Sequence, residues 1–206
     1  GEWTQTAAGL QSANMKEDGH PPVLTFEPPE ALTDAVLELE FRFVEDEVEG
    51  GHSIRIAVDN REAITKGHVC SAWANWNNDF VPVGLTLETI SKDEVLPKPE
   101  KKSEQFLDNR ITIGQASADY EAGRWYTLRL EVVGSRALTT VFDESGEAVM
   151  VSGQLGVFST PKTKVSLTVG AAAHEIRSFR VSSATQNADW ADALQRRATA
   201  NALTLF

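Results

Sequence analysis

The chain has one cysteine, Cys70. That excludes a disulfide framework and a cysteine-based zinc site, and leaves packing to hold the fold. No run approaches the roughly 18 uninterrupted apolar residues that a membrane helix needs, so a helical span is excluded. Basic residues are in deficit, with Lys+Arg 19 against Asp+Glu 30 and a formal net charge of -11. No segment interleaves clustered Arg or Lys with aromatics, and nucleic acid is not expected as a partner. The G-x-S-x-G elbow, the G-x-x-x-x-G-K-[ST] phosphate loop and G-x-G-x-x-G are all missing, and His174-Glu175 does not continue into H-E-x-x-H. Hydrolase, kinase, dehydrogenase and zincin templates therefore fail, and no cofactor is indicated. Asn75, Asn77, Asn78 and Asp79 form only a loose oxygen-rich loop that could hold calcium or simply turn the chain, so no metal ligands are assigned.

What is present is alternation. In 206 residues, 41% of them hydrophobic and 24% charged, one sizeable core is the natural arrangement, with room for a small appendage. Residues 35–44 put Leu37, Leu39, Phe41 and Phe43 on one side and Glu38, Glu40 and Arg42 on the other. Residues 53–58 set Ile54, Ile56 and Val58 against Arg55 and Ala57. Residues 125–133 set Tyr126, Leu128, Leu130 and Val132 against Thr127, Arg129 and Glu131. Shorter segments at 23–27, 68–73, 83–90, 110–113, 137–143, 148–152, 164–169 and 176–182 bring the total to about eleven strands. Asp143-Glu-Ser-Gly146 reads as the turn of an antiparallel hairpin. Strands do not alternate with long helices, so the expected class is all-β, a two-sheet antiparallel sandwich. The tail is the exception: Asn187 can cap a helix, Asp189 suits its positive end, and Trp190, Leu194 and Arg197 follow at helical spacing. The chain thus divides into a sandwich over 1–186 and a short C-terminal helix over 187–206. Residues 91–109, rich in Lys, Pro and acids, read as a long exposed connection or as a flap over a binding face.

Several polar residues could carry chemistry. Glu38 and Glu40, two apart on a strand, lie about 7 Å from one another, among the carboxyl separations useful in glycoside hydrolysis. Arg42 occupies the next alternate position, where it would depress the pKa values of its neighbours and work against a proton donor. The plainer alternative is a solvent-facing charged ladder. His68 begins a strand, shares a face with Cys70 by simple alternation, and follows the strand that bears Arg55 and Asp59. If that face is the concave one, His68, Arg55, Arg42 and Glu40 converge on a polar ligand or a metal; the alternative is a structural polar face. Trp73 and Trp76, flanked by Asn residues, could stack on pyranose rings or could be core. Glu38 and Arg129 complete the set of ligand-contacting candidates.

The order of Trp3 with Ala8-Gly9-Leu10, Ala35 to Arg42, Ser53-Ile-Arg-Ile56, Gly67-His-Val69, Gly123-Arg-Trp125 leading to Leu128-Arg-Leu-Glu131, and Ile176 to Val181 resembles the 3-keto-disaccharide hydrolase-like group of secreted, concanavalin A-like jelly-roll domains. The resemblance implies a jelly roll with a carbohydrate on its concave sheet, in an extracytoplasmic setting. On that footing His68 or Glu40 would handle protons, Arg42 and Arg55 would orient anionic or keto groups, and Trp73 or Trp76 would stack on the sugar. The expectation is a sugar hydrolase acting on a glycan or keto-sugar; a non-catalytic lectin-like module and an adhesion scaffold are the alternatives. Linkage and oligomeric state are not specified by the sequence. The chain opens on Gly1-Glu2-Trp3, as a trimmed mature or expressed fragment would.

Overall fold

The computed structural model describes residues 1–13, 21–45, 51–60, 62, 64, 67–76, 83–91, 110–170 and 172–184. The helix expected over 187–206, the connection after Ser91, and Asn77, Asn78 and Asp79 lie outside that set. Among the described residues thirteen strands follow one another: β1 (Trp3–Thr6), β2 (Gly9–Ser12), β3 (Val23–Phe26), β4 (Ala35–Phe43), β5 (His52–Asp59), β6 (Gly67–Trp76) and β7 (Gly84–Ser91) come first. They continue with β8 (Arg110–Ala116), β9 (Tyr126–Val133), β10 (Arg136–Asp143), β11 (Ala148–Gln154), β12 (Lys164–Gly170) and β13 (His174–Ser183). A 3-10 turn, Gly156–Ser159, precedes β12. All eleven strands expected from alternation are found, whereas β1 and β2 were not anticipated. Their four-residue length and polar content leave almost no period to detect.

The strands form two antiparallel sheets. One has seven strands in the order β1-β2-β13-β4-β9-β10-β11, the other six in the order β3-β12-β5-β6-β7-β8. Alternation explains the layering. On β4, Leu37, Leu39, Phe41 and Phe43 are fully buried, and they meet Ile54, Ile56 and Val58 of β5, Cys70, Ala72 and Ala74 of β6, and Leu85 and Leu87 of β7 in one continuous core. Each large side chain so buried contributes roughly 1.5–3 kcal/mol. The residues between them face outward from both layers.

Two details fix the assembly. Gly84, at φ +104°, lies against β8 so closely that a Cβ there would sit 2.2 Å from the Ala116 carbonyl oxygen, and only glycine tolerates both conditions. Lys162 is fully buried. Its Nζ donates to the Phe158 carbonyl at 2.8 Å and to the Thr33 carbonyl, joining the 3-10 turn to the segment that leads into β4. Burial lowers its pKa, partly offset by Asp34.

Candidate functional site

The two outer faces behave differently. On the seven-stranded sheet the charges answer one another. Glu38 pairs with Arg180 at 3.0 Å and Arg129 at 3.7 Å, Arg129 with Glu131 at 3.2 Å, and Glu40 with Arg177 at 3.2 Å. Glu40 also accepts from the Ser178 hydroxyl at 3.1 Å. Arg42 donates through Nε to Glu175 at 2.5 Å. Arg42 and Arg177 both cover the Trp125 ring, at 4.9 and 3.9 Å. This is a self-neutralised ladder of partly exposed pairs, each worth at most about 1 kcal/mol.

That arrangement corrects the expected cluster. Glu38, Glu40, Arg42 and Arg129 lie on the seven-stranded sheet, whereas Arg55 and His68 belong to the six-stranded one, with the hydrophobic core between. The four do not converge with Arg55 and His68. Alternation along a strand tells which residues share its face, but not which layer the strand joins.

The outer face of the six-stranded sheet is polar and largely buried. Cross-strand register brings together Arg55 and Trp73, Ala57 and Ser71, Ser71 and Glu88, Trp73 and Thr86, and Arg55 and Thr168. Ser71, Asn75, Thr86 and Glu88 have no exposed area at all. His68 reaches this face through a bulge: the register of β6 with β7 shifts between His68 and Ser71. One extra residue reverses the side on which a side chain emerges. Cys70 therefore stays in the core while His68 turns outward, where its Nδ1 lies 2.6 Å from Asp59 Oδ1. The expectation that His68 and Cys70 share a face is overturned; that His68, Arg55 and Asp59 do so is what the register yields.

Glu88 organises the face, and it belongs to no motif that singles it out. Its Oε1 accepts from the Ser71 hydroxyl at 3.1 Å and from the Trp73 indole N–H. Its Oε2 lies 3.0 Å from Arg110 Nε. The only available signal was a lone acid among Leu85, Thr86 and Leu87 on a strand otherwise free of charge. Trp73 is 7% exposed, and the guanidinium carbons of Arg55 and Arg110 lie 4.7 and 5.4 Å from its ring centroid. It is a platform for arginine rather than an open surface for a sugar ring, which corrects the stacking role. Burial lowers the Arg55 pKa to about 10, with Glu88 and Asp59 opposing that shift and Arg110 adding to it. Burial likewise lowers that of Arg110, and Glu88 opposes it.

Trp76 is also corrected, because it turns inward. Its ring stacks on His52 at 5.2 Å and packs 5.5 Å from Phe43, in a cluster with His174, Tyr120 and Tyr126 at one end of the core. His174 is fully buried and donates from Nδ1 to the Ala172 carbonyl at 2.7 Å. Burial, reinforced by His52, lowers its pKa to about 3. A separate cavity of about 320 Å³ is lined by Asp119, Glu121, Arg124, Asp143 and Glu147 among others. Arg124 lies 2.5 Å from Asp143 and 3.6 Å from Glu121 within it. Among the described residues no group of three or more His, Cys, Asp or Glu side chains could hold a metal ion.

No protein-family model matches the chain, and no curated protein matches it in sequence. Solved structures do share its architecture. A seed lectin of Lotus tetragonolobus superposes with a TM-score of 0.57 at 8% identity, over 91% of this chain and 92% of the lectin. A carbohydrate-binding module of Bacillus subtilis gives 0.56 at 15% identity, over 89% and 92%. An alginate lyase of Klebsiella pneumoniae gives 0.50 at 9% identity, over 90% and 85%. At these identities the likeness establishes the fold, an antiparallel jelly-roll sandwich of the concanavalin A type.

Proposed function

We propose that this jelly roll is a carbohydrate-binding module that takes its ligand on the outer face of the six-stranded sheet, in an extracytoplasmic setting. The observation that carries the reading is the polar constellation built on Glu88, which fixes Trp73 and, through its ring, the partly exposed Arg55. A saccharide presents closely spaced hydroxyls that both donate and accept, and side-chain donors and acceptors held in fixed positions suit them. Arg55, His68 and Thr168 are the groups through which it would be held. The fold is one on which a lectin, a carbohydrate-binding module and a lyase of a polysaccharide are all built, which adds support. Calorimetry against an oligosaccharide panel should give saturable binding that weakens about tenfold or more in Arg55→Ala and His68→Ala. Glu40→Gln and Arg42→Gln, on the other sheet, should bind as the parent does. The reverse pattern would move the site across the sandwich, and no saccharide binding at all would end the reading.

One observation favours a second reading, in which the bound sugar is also cleaved, as the resemblance to the 3-keto-disaccharide hydrolase-like group implied. With Nδ1 held by Asp59 at 2.6 Å, the His68 ring is fixed and its Nε2 is the nitrogen placed to exchange a proton. Arg55 would orient the substrate; Glu40 and Arg42 would take no part. Chromatographic product analysis separates the two readings. Turnover that disappears in His68→Ala supports cleavage, whereas binding without product supports the module.

A further inference from the structure

We propose that the saccharide is an acidic one, and that Arg55 receives its carboxylate or sulfate group; this rests on the reading of the six-stranded sheet's outer face as the sugar site. Both carboxylates of that face are engaged at close range by other side chains: Glu88 lies 3.0 Å from Arg110, and Asp59 lies 2.6 Å from the His68 imidazole. Arg55 has neither of them in ion-pair contact. None of the ion pairs among the described residues includes it; its Nη2 makes one long bond, 3.3 Å, to the neutral hydroxyl of Thr168, and its Nε–H is covered from water without an acceptor. Glu88 and Asp59 attract it from a distance while Arg110 repels it.

A cation largely withdrawn from water with no carboxylate in contact weakens a fold, so its retention asks for a partner supplied from outside. The geometry suits an oxyanion. Trp73 supports the guanidinium from 4.7 Å, which fixes its plane, while Arg55 keeps part of its surface exposed. A carboxylate or sulfate ester takes two parallel N–H bonds from such a fork, whereas a neutral hydroxyl takes one and leaves the charge unmatched. The chain as a whole carries a net charge of -11, so no general field draws a polyanion in. Selectivity of this kind has to come from the local group.

The test compares sugars that differ only in charge: a galacturonate tetrasaccharide with its fully methyl-esterified form, and a sulfated galactan tetrasaccharide with its desulfated form, each by calorimetry on the full chain. The acidic member of at least one pair should bind about tenfold or more tightly than its uncharged counterpart, and the pair showing the larger ratio distinguishes a carboxylate from a sulfate ligand. Arg55→Gln, checked for folding by its unfolding midpoint, should bring the two members of that pair to equal affinity. Arg55→Lys, which keeps the charge but not the fork, should fall between. Equal affinities within both pairs in the parent protein, or an undiminished preference in Arg55→Gln, would overturn acid selectivity while leaving the sugar site in place. Binding of none of the four would overturn both.

Discussion

Replacing Glu88 with alanine is expected to lower the stability of the protein by about 3–5 kcal/mol, the usual effect of stranding the partner of a buried ion pair. The side chain has no exposed area. Its removal leaves the Trp73 indole N–H and the Ser71 hydroxyl without this acceptor, and takes from Arg110 the carboxylate 3.0 Å away. Water reaches none of these positions easily, so the lost bonds are not replaced. Glu88→Gln preserves an oxygen for Trp73 and Ser71 but not the negative charge, and should cost less, about 1–3 kcal/mol. Urea unfolding of the three proteins checks the ordering. If the alanine variant matched the parent within experimental error, Glu88 would not be the centre of the outer face, and the binding proposal would lose its scaffold. Both variants should also bind saccharide more weakly, since Trp73 sets the position of Arg55.

The second large effect is on pH. His174 titrates at about 3 in the folded chain, because of burial and then the neighbouring His52, against an ordinary 6.5. Between those values the unfolded chain holds a proton at this position that the folded one does not. Stability from this residue is therefore complete above about pH 6.5 and is lost progressively as the pH falls towards 3, for a total of about 5 kcal/mol. His174→Leu removes the titrating group. At pH 7 it should cost about 1 kcal/mol, through the lost bond to the Ala172 carbonyl, yet by pH 4 the variant should be the more stable of the two with respect to this linkage. Urea midpoints at pH 7 and pH 4 supply the comparison. A parallel decline in both proteins would mean that other groups control the acid limb.

The strands were legible because alternation reports burial directly: Leu37, Leu39, Phe41 and Phe43 could be assigned to the core before any coordinates. The assignment of faces to layers was not legible, since Glu38, Glu40 and Arg42 show the same pattern on whichever sheet they fall. His68 illustrates a different limit. Simple alternation groups it with Cys70, and only the bulge in β6 separates them; nothing in Gly67-His-Val-Cys70 announces the extra residue. Glu88 and Arg110 become neighbours through the register of β7 with β8, a relation across a segment outside the described residues. Trp73 and Trp76 share a motif but part company because β6 sends alternate side chains to opposite faces. Periodicity thus supplies elements and their greasy sides, whereas the polar constellation arises from pairing between strands distant in sequence.

The position of Cys70 has a further use. It is the only thiol in the chain, it has no exposed area, and burial raises its pKa, with Glu88 adding to the shift and Lys162 opposing it. A reagent that attacks thiolates can reach it only after the layers separate, so under native conditions labelling should be slow and paced by that opening rather than by the reagent. The protein thereby contains its own clock: the rate at which one sulfur is modified, followed by mass spectrometry, measures how often the sandwich comes apart.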